Sequence, residues 1–351
     1  MASVLYWGAE DSDIDGVGNA IVDTTSGRFD PYVACGLAVP DPSGGDSLLA
    51  SFWRSINQFN ASLISLSAFV WTNSSNAIVD HGANSAFLLR FLDTNGIPRI
   101  VLQCKNPIGG ISGPWAVYKV DAAGSYTQIG STSFTLLEPT TLQKLTFVLD
   151  YSVSGSVEID IGTALIFKIT GVDLTTDSVT SLAGFDLGSA TTPSGVNSGR
   201  TVWSIPIVCD YNNRSLDMVK LTITGAGGTS DWNGASDGST VDEIVLNDSD
   251  GIDSATADQV ELFTQTGTLP SGTWGIVGVG LNARASTAPG SNPQHLELVL
   301  NIGTTEYLSS TLDPGIALDR VPYFWSTSPA TSVEFSSSEI ATMQIGAKSK
   351  A

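Results

Sequence analysis

Apolar and polar residues alternate with a period of two along most of this chain, and no other feature narrows its fold so far. In "NASLISLSAFVW", Ile64, Leu66, Ala68 and Val70 fall on one face and Leu63, Ser65, Ser67 and Phe69 on the other. Side chains alternate across a strand in this way, so the stretch reads as β. "AFLLRFLDTNGIPRIVLQC" reads as two strands joined at Asn95-Gly96, because both residues tolerate positive φ in a hairpin turn. "LTFVLDYSVSGSVEIDIGTALIFKITG" continues the pattern, with breaks at Ser154-Gly155 and Gly162. The expected result is an antiparallel meander.

Residues 188–199, "GSATTPSGVNSG", carry no periodicity and concentrate turn formers, which marks a domain boundary. Strand patterns resume beyond it. "DMVKLTITG" puts Val219, Leu221 and Ile223 on one face, and "HLELVLNIG" does so for Leu296, Leu298, Leu300 and Ile302. Between them, "GAGGTSDWNGASDGST" and "NDSDGIDS" read as polar loops. The one helix signal is "SSSEIATM", where Ser336 and Glu339 form a capping-box pair. "SLLASFWRSINQF" reads equally as a short helix or a strand. The fold class is therefore all-β: two tandem antiparallel β-sandwich, jelly-roll-like domains, over residues 1–190 and 200–351.

Charged residues make up 14% of the 351, so serine, threonine, asparagine and 36 glycines supply most of the polar surface. The net charge of −20 repels phosphate, which argues against nucleic acid and anionic membranes as partners. Cys35, Cys104 and Cys209 are too few and too scattered for a disulfide framework or a zinc site, and read as small buried hydrophobes. "MASVLYW" lacks the basic start of a signal peptide, and no apolar run reaches the roughly 20 residues of a membrane span. A polar, glycine-rich β chain with neither export signal nor disulfides fits a virion component made in a host cytoplasm and released by lysis.

The sequence also carries resemblances. The first half, ending in "LDYSVSGSVEIDIGTALIFKITGVDL" and "GFDLGSA", is similar to the concanavalin/laminin-G type of jelly roll. Three further segments look like a family of virion structural proteins of tailed bacteriophages. These are "LYWGAEDSDIDGVGNAIVDTTSGRFDPYVACGLAV", "VWSIPIVCDYNNRSLDMVKLTITGAGGTSDWNG" and "YFWSTSPATSVEFSSSEIATMQIGAKS". That resemblance implies assembly into a particle beside other virion proteins, as a tail appendage, fibre or head decoration that contacts host glycans. A secreted or surface bacterial lectin is the alternative. By analogy with such particle components, a symmetric homo-oligomer, most plausibly a trimer, is expected. Lys348 and Lys350 near the end read as a basic tail, more often a solvated, frayed terminus than a dock for an acidic neighbour.

Candidate chemistry is sparse. "VEIDIGT" resembles the Glu-x-Asp-x-x-Glu strand of jelly-roll β-glucanases, with Glu158 and Asp160 on one face about 6.5–7 Å apart. A retaining mechanism needs a second carboxyl at about 5–5.5 Å, and Thr163 stands where that family has its second glutamate. A threonine hydroxyl is no general acid, so the expectation is an acidic strand face and no enzyme. His81 and His295 lack metal-ligand spacing, and no nucleophile elbow or phosphate loop is present.

"EDSDIDG" opens like a calcium loop, with Asp11, Asp13, Asp15 and Gly16 in place, but Val22 occupies the position of its bidentate glutamate. No cofactor is expected. Structural calcium on Asp11, Asp13 and Asp15 is allowed but not required, since an aspartate-rich turn accounts for the stretch. Of the eight tryptophans, Trp115 and Trp232 lie in loop contexts and are the candidates for stacking on a sugar ring, although a loop tryptophan more commonly plugs the end of its own sandwich.

Overall fold

In the computed structural model, ladders of antiparallel strands account for nearly all regular structure. The residues it describes are 4–7, 15–17, 21–23, 36–40, 52–55, 59–72, 88–104, 115–131, 143–188, 200–216, 219, 221–234, 238, 241, 251–266, 269, 275–288, 290 and 293–351. The chain divides into two units, Met1–Met218 and Val219–Ala351.

The first unit begins with β1 (Val4–Trp7), β2 (Asp15–Val17), β3 (Ile21–Asp23), β4 (Gly36–Pro40) and β5 (Phe52–Ser55). It continues with β6 (Leu63–Thr72), β7 (Leu89–Leu92), β8 (Pro98–Cys104), β9 (Trp115–Val120) and β10 (Tyr126–Ser131). Then follow β11 (Gln143–Asp150), β12 (Gly155–Ile161), β13 (Ala164–Val172), β14 (Gly184–Gly188) and β15 (Arg200–Cys209). One sheet runs β13-β12-β11-β6-β15-β4-β3 with β1 beside β15, and the other runs β10-β9-β8-β7-β14-β5-β2.

The sheets bury one face each against the other. Ile64, Leu66, Ala68 and Val70 of β6 join Leu145, Phe147 and Leu149 of β11 in a core with Phe91, Ile100, Leu102, Val117 and Phe185 of the second sheet. The Phe91 and Phe147 rings meet across it at 5.4 Å. Each of these side chains larger than Ala68 contributes about 1.5–3 kcal/mol through lost water contact. The alternation read from the sequence is thus the sandwich core.

The hairpin between β7 and β8 also forms where expected, although only Gly96 takes positive φ (74°). Asp93 organises the turn: its carboxylate accepts the Asn95 and Ile97 N–H groups at 2.8 and 3.0 Å.

The boundary differs from the sequence reading. Beyond the turn-rich stretch, β15 returns to the first unit and pairs with β6, Trp203 standing opposite Val70. The division therefore falls after Met218 and not between residues 190 and 200.

The second unit holds β16 (Ile223–Ser230), β17 (Val260–Gln265), β18 (Val279–Ala285), β19 (His295–Ile302), β20 (Thr305–Leu308), β21 (Asp319–Trp325), α1 (Ser337–Thr342) and β22 (Gln344–Lys350). Its larger sheet runs β16-β17-β22-β19-β20, and β18 pairs with β21. Phe263, Leu298, Leu300 and Ile345 pack against Val321 and Trp325 of the smaller sheet. The fold is all-β, as the alternation predicted.

The capping box is present: Glu339 N–H donates to Ser336 Oγ at 3.2 Å, and Ser336 N–H donates to Glu339 Oε2 at 2.7 Å. The chain's end is not a basic tail. Lys348 and Lys350 belong to β22, the middle strand, and pair with Asp258 at 4.0 and 3.2 Å. Cys209 is fully buried, and burial pushes its thiol up to about 11.

Candidate functional site

Each sheet of the first unit has a second face turned away from the core, and the two faces differ in chemistry. On the first sheet this face carries Ser65, Ser67, Thr146, Glu158 and Asp160. The segment 210–216 lies over it. Asn213, fully buried, accepts the Ser65 and Ser67 hydroxyls on Oδ1 and donates through Nδ2 to the Ser65 and Ile207 carbonyls.

Arg214 beside it bridges Glu158 and Asp160, and Lys168 reaches Glu158 at 2.6 Å. The Lys168 bond first, and then that of Arg214, holds the Glu158 carboxyl below its ordinary range. Burial pushes Asp160 up, against the pull of Arg214. The glucanase-like pair is therefore an ion-paired cluster beneath a strap, and Thr163 sits exposed in the turn beyond it.

Apart from Asp15, the second sheet brings together residues that the sequence reading did not single out. Backbone register places Asp15, Arg54, Asp186, Arg90, Val101, Tyr118 and Gln128 opposite one another on seven consecutive strands, in one row across the sheet. Phe185 and Leu187 flank Asp186 and enter the core, so Asp186 points to the other side.

Asp186 is fully buried and is gripped by two guanidiniums. Arg54 donates Nε and Nη2 at 2.8 and 3.0 Å, and Arg90 donates the same two groups at 2.9 and 2.6 Å. The bond to Asp186 raises Arg54, whereas burial lowers Arg90 despite the same partner. Tyr118 and Tyr126 meet edge to face at 5.8 Å, packed with Val101 and Val120. Burial raises the Tyr126 phenol, and the charge of Arg90 opposes that rise. Gln103, buried, follows Val101 on the same face of β8.

The anticipated site residues lie elsewhere. Trp115 is the first residue of β9, not a loop residue. Its ring is packed into the core with 1% of its surface exposed, so it offers no face to a sugar. Trp232 is part-buried, its indole N–H donating to the Gln259 carbonyl at 3.0 Å and its backbone N–H to Glu261. Asp11 and Asp13 lie outside the described residues. Asp15 opens β2 opposite Arg54, and only its backbone is described. Among the described residues no three His, Cys, Asp or Glu side chains are grouped to hold a metal ion. No described helix is long and apolar enough to cross a membrane.

No protein-family model matches the chain, and no curated protein matches it. Solved structures of similar fold include the endo-β-1,4-glucuronan lyase of the fungus Trichoderma reesei. That likeness has 8% identity and a TM-score of 0.43, over 59% of this chain and 95% of that one. The alginate lyase vAL-1 from Chlorella virus is similar at 11% identity and a TM-score of 0.39, over 57% and 93%. The binding domain of Paraclostridial Mosquitocidal Protein 1 follows at 10% and 0.40, over 60% and 50%.

The expectation of no enzyme is corrected at this point. Polysaccharide lyases are among the structures the chain resembles. The missing partner at Thr163 bears only on one hydrolase arrangement, on the other sheet.

Proposed function

We propose that the protein is a carbohydrate-binding component of a tailed-phage particle, which grips glycans through the non-core face of its second sheet. The observation that carries the binding reading is the cross-strand row that sets Arg54, Asp186, Arg90 and Tyr118 side by side, with Tyr126 next to it. Planar polar groups engage ligand oxygens in pairs, and aromatic rings cover apolar faces. Both kinds lie here on adjoining, ladder-bonded strands, which lowers the cost of ordering them around a ligand. The phage setting rests on the sequence resemblance. There a cyclic, trimeric assembly would multiply weak single contacts by copy number.

Cleavage of the bound glycan is a second reading, in which Tyr126, packed against Tyr118 on this face and kept in its protonated form by burial, would donate a proton. A glycan microarray probed with the purified chain tests the binding reading, with Arg90→Gln and Tyr118→Ala alongside. Signals that weaken in both variants are expected, and an array without signal overturns the reading. Mass analysis of the incubated glycans reports cleavage.

A further inference from the structure

We infer that residues 210–216 form a releasable strap, which lifts from the first sheet as one piece while both units stay folded, and so lengthens the link between them. This inference stands apart from the carbohydrate reading.

The strap lies where a pull along the chain arrives first. β15 ends at Cys209, in ladders with β6 on one side and with β4 and β1 on the other. Only Asp217 and Met218 separate Leu216 from Val219, the first residue of the second unit. Tension between the units therefore reaches the strap before it reaches any strand of the first unit.

Among the described residues, every bond from 213–216 to the strands passes through a side chain. Lys144 Nζ donates to the Arg214 carbonyl at 3.0 Å and to that of Leu216. Arg214 itself reaches Glu158 and Asp160. Nearest to β15, Asn213 holds Ser65, Ser67 and the Ile207 carbonyl through four bonds of 2.6–3.0 Å. The Leu216 N–H turns back on the strap, to the Asn213 carbonyl at 2.9 Å. Ties strung out in this order break one after another, and each is small in net terms because water replaces the lost partner. β15, paired on both sides, resists as a whole ladder.

The surface beneath suits exposure. It carries Ser65, Ser67, Thr146, Glu158 and Asp160, and the Ser67 and Thr146 hydroxyls already bond each other at 3.0 Å. Apolar contact is limited to Tyr211 and Leu216, packed with Ile207, Cys209, Phe69 and Val4. Lifting the strap opens no sandwich core, because the core side chains lie on the other face of the sheet. Once free, residues 210–216 add up to about 23–25 Å to the link.

The bond after Arg214 is a trypsin site inside the strap, so its cleavage under native conditions reports how often the strap is open. Expected is cleavage of the full chain at Arg214 in urea well below the unfolding midpoint, leaving two fragments whose β-sheet circular dichroism persists. Lys144→Ala should speed that cut about tenfold, and Asn213→Ala should do so through a separate tie. Pulling is the second measurement, between a peptide tag inserted at the exposed Val153 turn and another at the C-terminus. A step of about 23–25 Å should precede the unfolding of either unit, at lower force in Lys144→Ala. Cleavage at Arg214 that begins only with global unfolding overturns the release, as does an unchanged rate in both variants. Pulling traces that open directly with the unfolding of a unit overturn the lengthening.

Discussion

The side-chain oxygen of Asn213 accepts the Ser67 hydroxyl at 2.7 Å, across 146 residues of sequence, and so fastens the segment after β15 over the middle of the first sheet. Asn213→Ala removes four side-chain bonds and leaves Ser65 and Ser67 without their acceptor in a buried place. A loss of about 2–4 kcal/mol is expected, read as a lower urea midpoint for the first unit.

Gly346 admits no side chain. A Cβ there would stand 1.9 Å from the Glu261 carbonyl oxygen, a backbone atom of the neighbouring β17 that cannot move aside without breaking the ladder. Gly346→Ala should cost the second unit about 3 kcal/mol, seen as a lower Tm. Gly251→Ala, at a site with nothing within 4 Å, should cost little.

Acid should weaken the first unit through Glu158. Lys168 and then Arg214 depress its folded pKa, so its contribution is complete above the ordinary value of 4.5 and is lost as pH falls through the lower folded value. Asp160 acts in the opposite sense. Burial raises its folded pKa, so its protonation on acidification partly offsets the loss. Glu158→Gln removes the first effect and keeps the second, so the acid-side decline in urea stability should become shallower. Glycan binding by this variant should match the parent, because Glu158 lies on the other sheet.

Light scattering on the purified chain should report a trimer. A monomer at micromolar concentration, together with monomeric copies in images of the particle, would sink the multivalent part of the proposal.

Local pattern sufficed where the contacts are local. The β6 and β11 alternation, the Gly96 turn and the Ser336–Glu339 box could each be read within about a dozen residues. Trp115 misled because "GGISGP" runs directly into it, while its strand is only six residues long and its burial comes from the core that both sheets share. β15 misled because its partner β6 lies far upstream, and a boundary drawn on turn residues cannot see that pairing.

The candidate site was the least legible part. Arg54 lies 132 residues from Asp186, and Arg90 lies 96 from it. Only the register of three strands makes them neighbours. One clue was available: Arg90 interrupts the apolar run "FLLRFL", which requires a partner for its charge on the side opposite Phe91.

The same three charges also govern how the second sheet can assemble. A one-residue slip of β7 against β14 would swing Arg90 into the core and turn Phe91 out. A two-residue slip would keep the face but carry the guanidinium about 6.5–7 Å along the strand, beyond reach of the carboxylate. Either error leaves a buried Asp186 short of a partner, at a cost of about 3–5 kcal/mol. β5 checks the alignment from the other side through Arg54. In a sheet whose strands come from distant parts of the chain, this trio proofreads strand alignment, rejecting misregistered pairings that hydrophobic burial alone would tolerate.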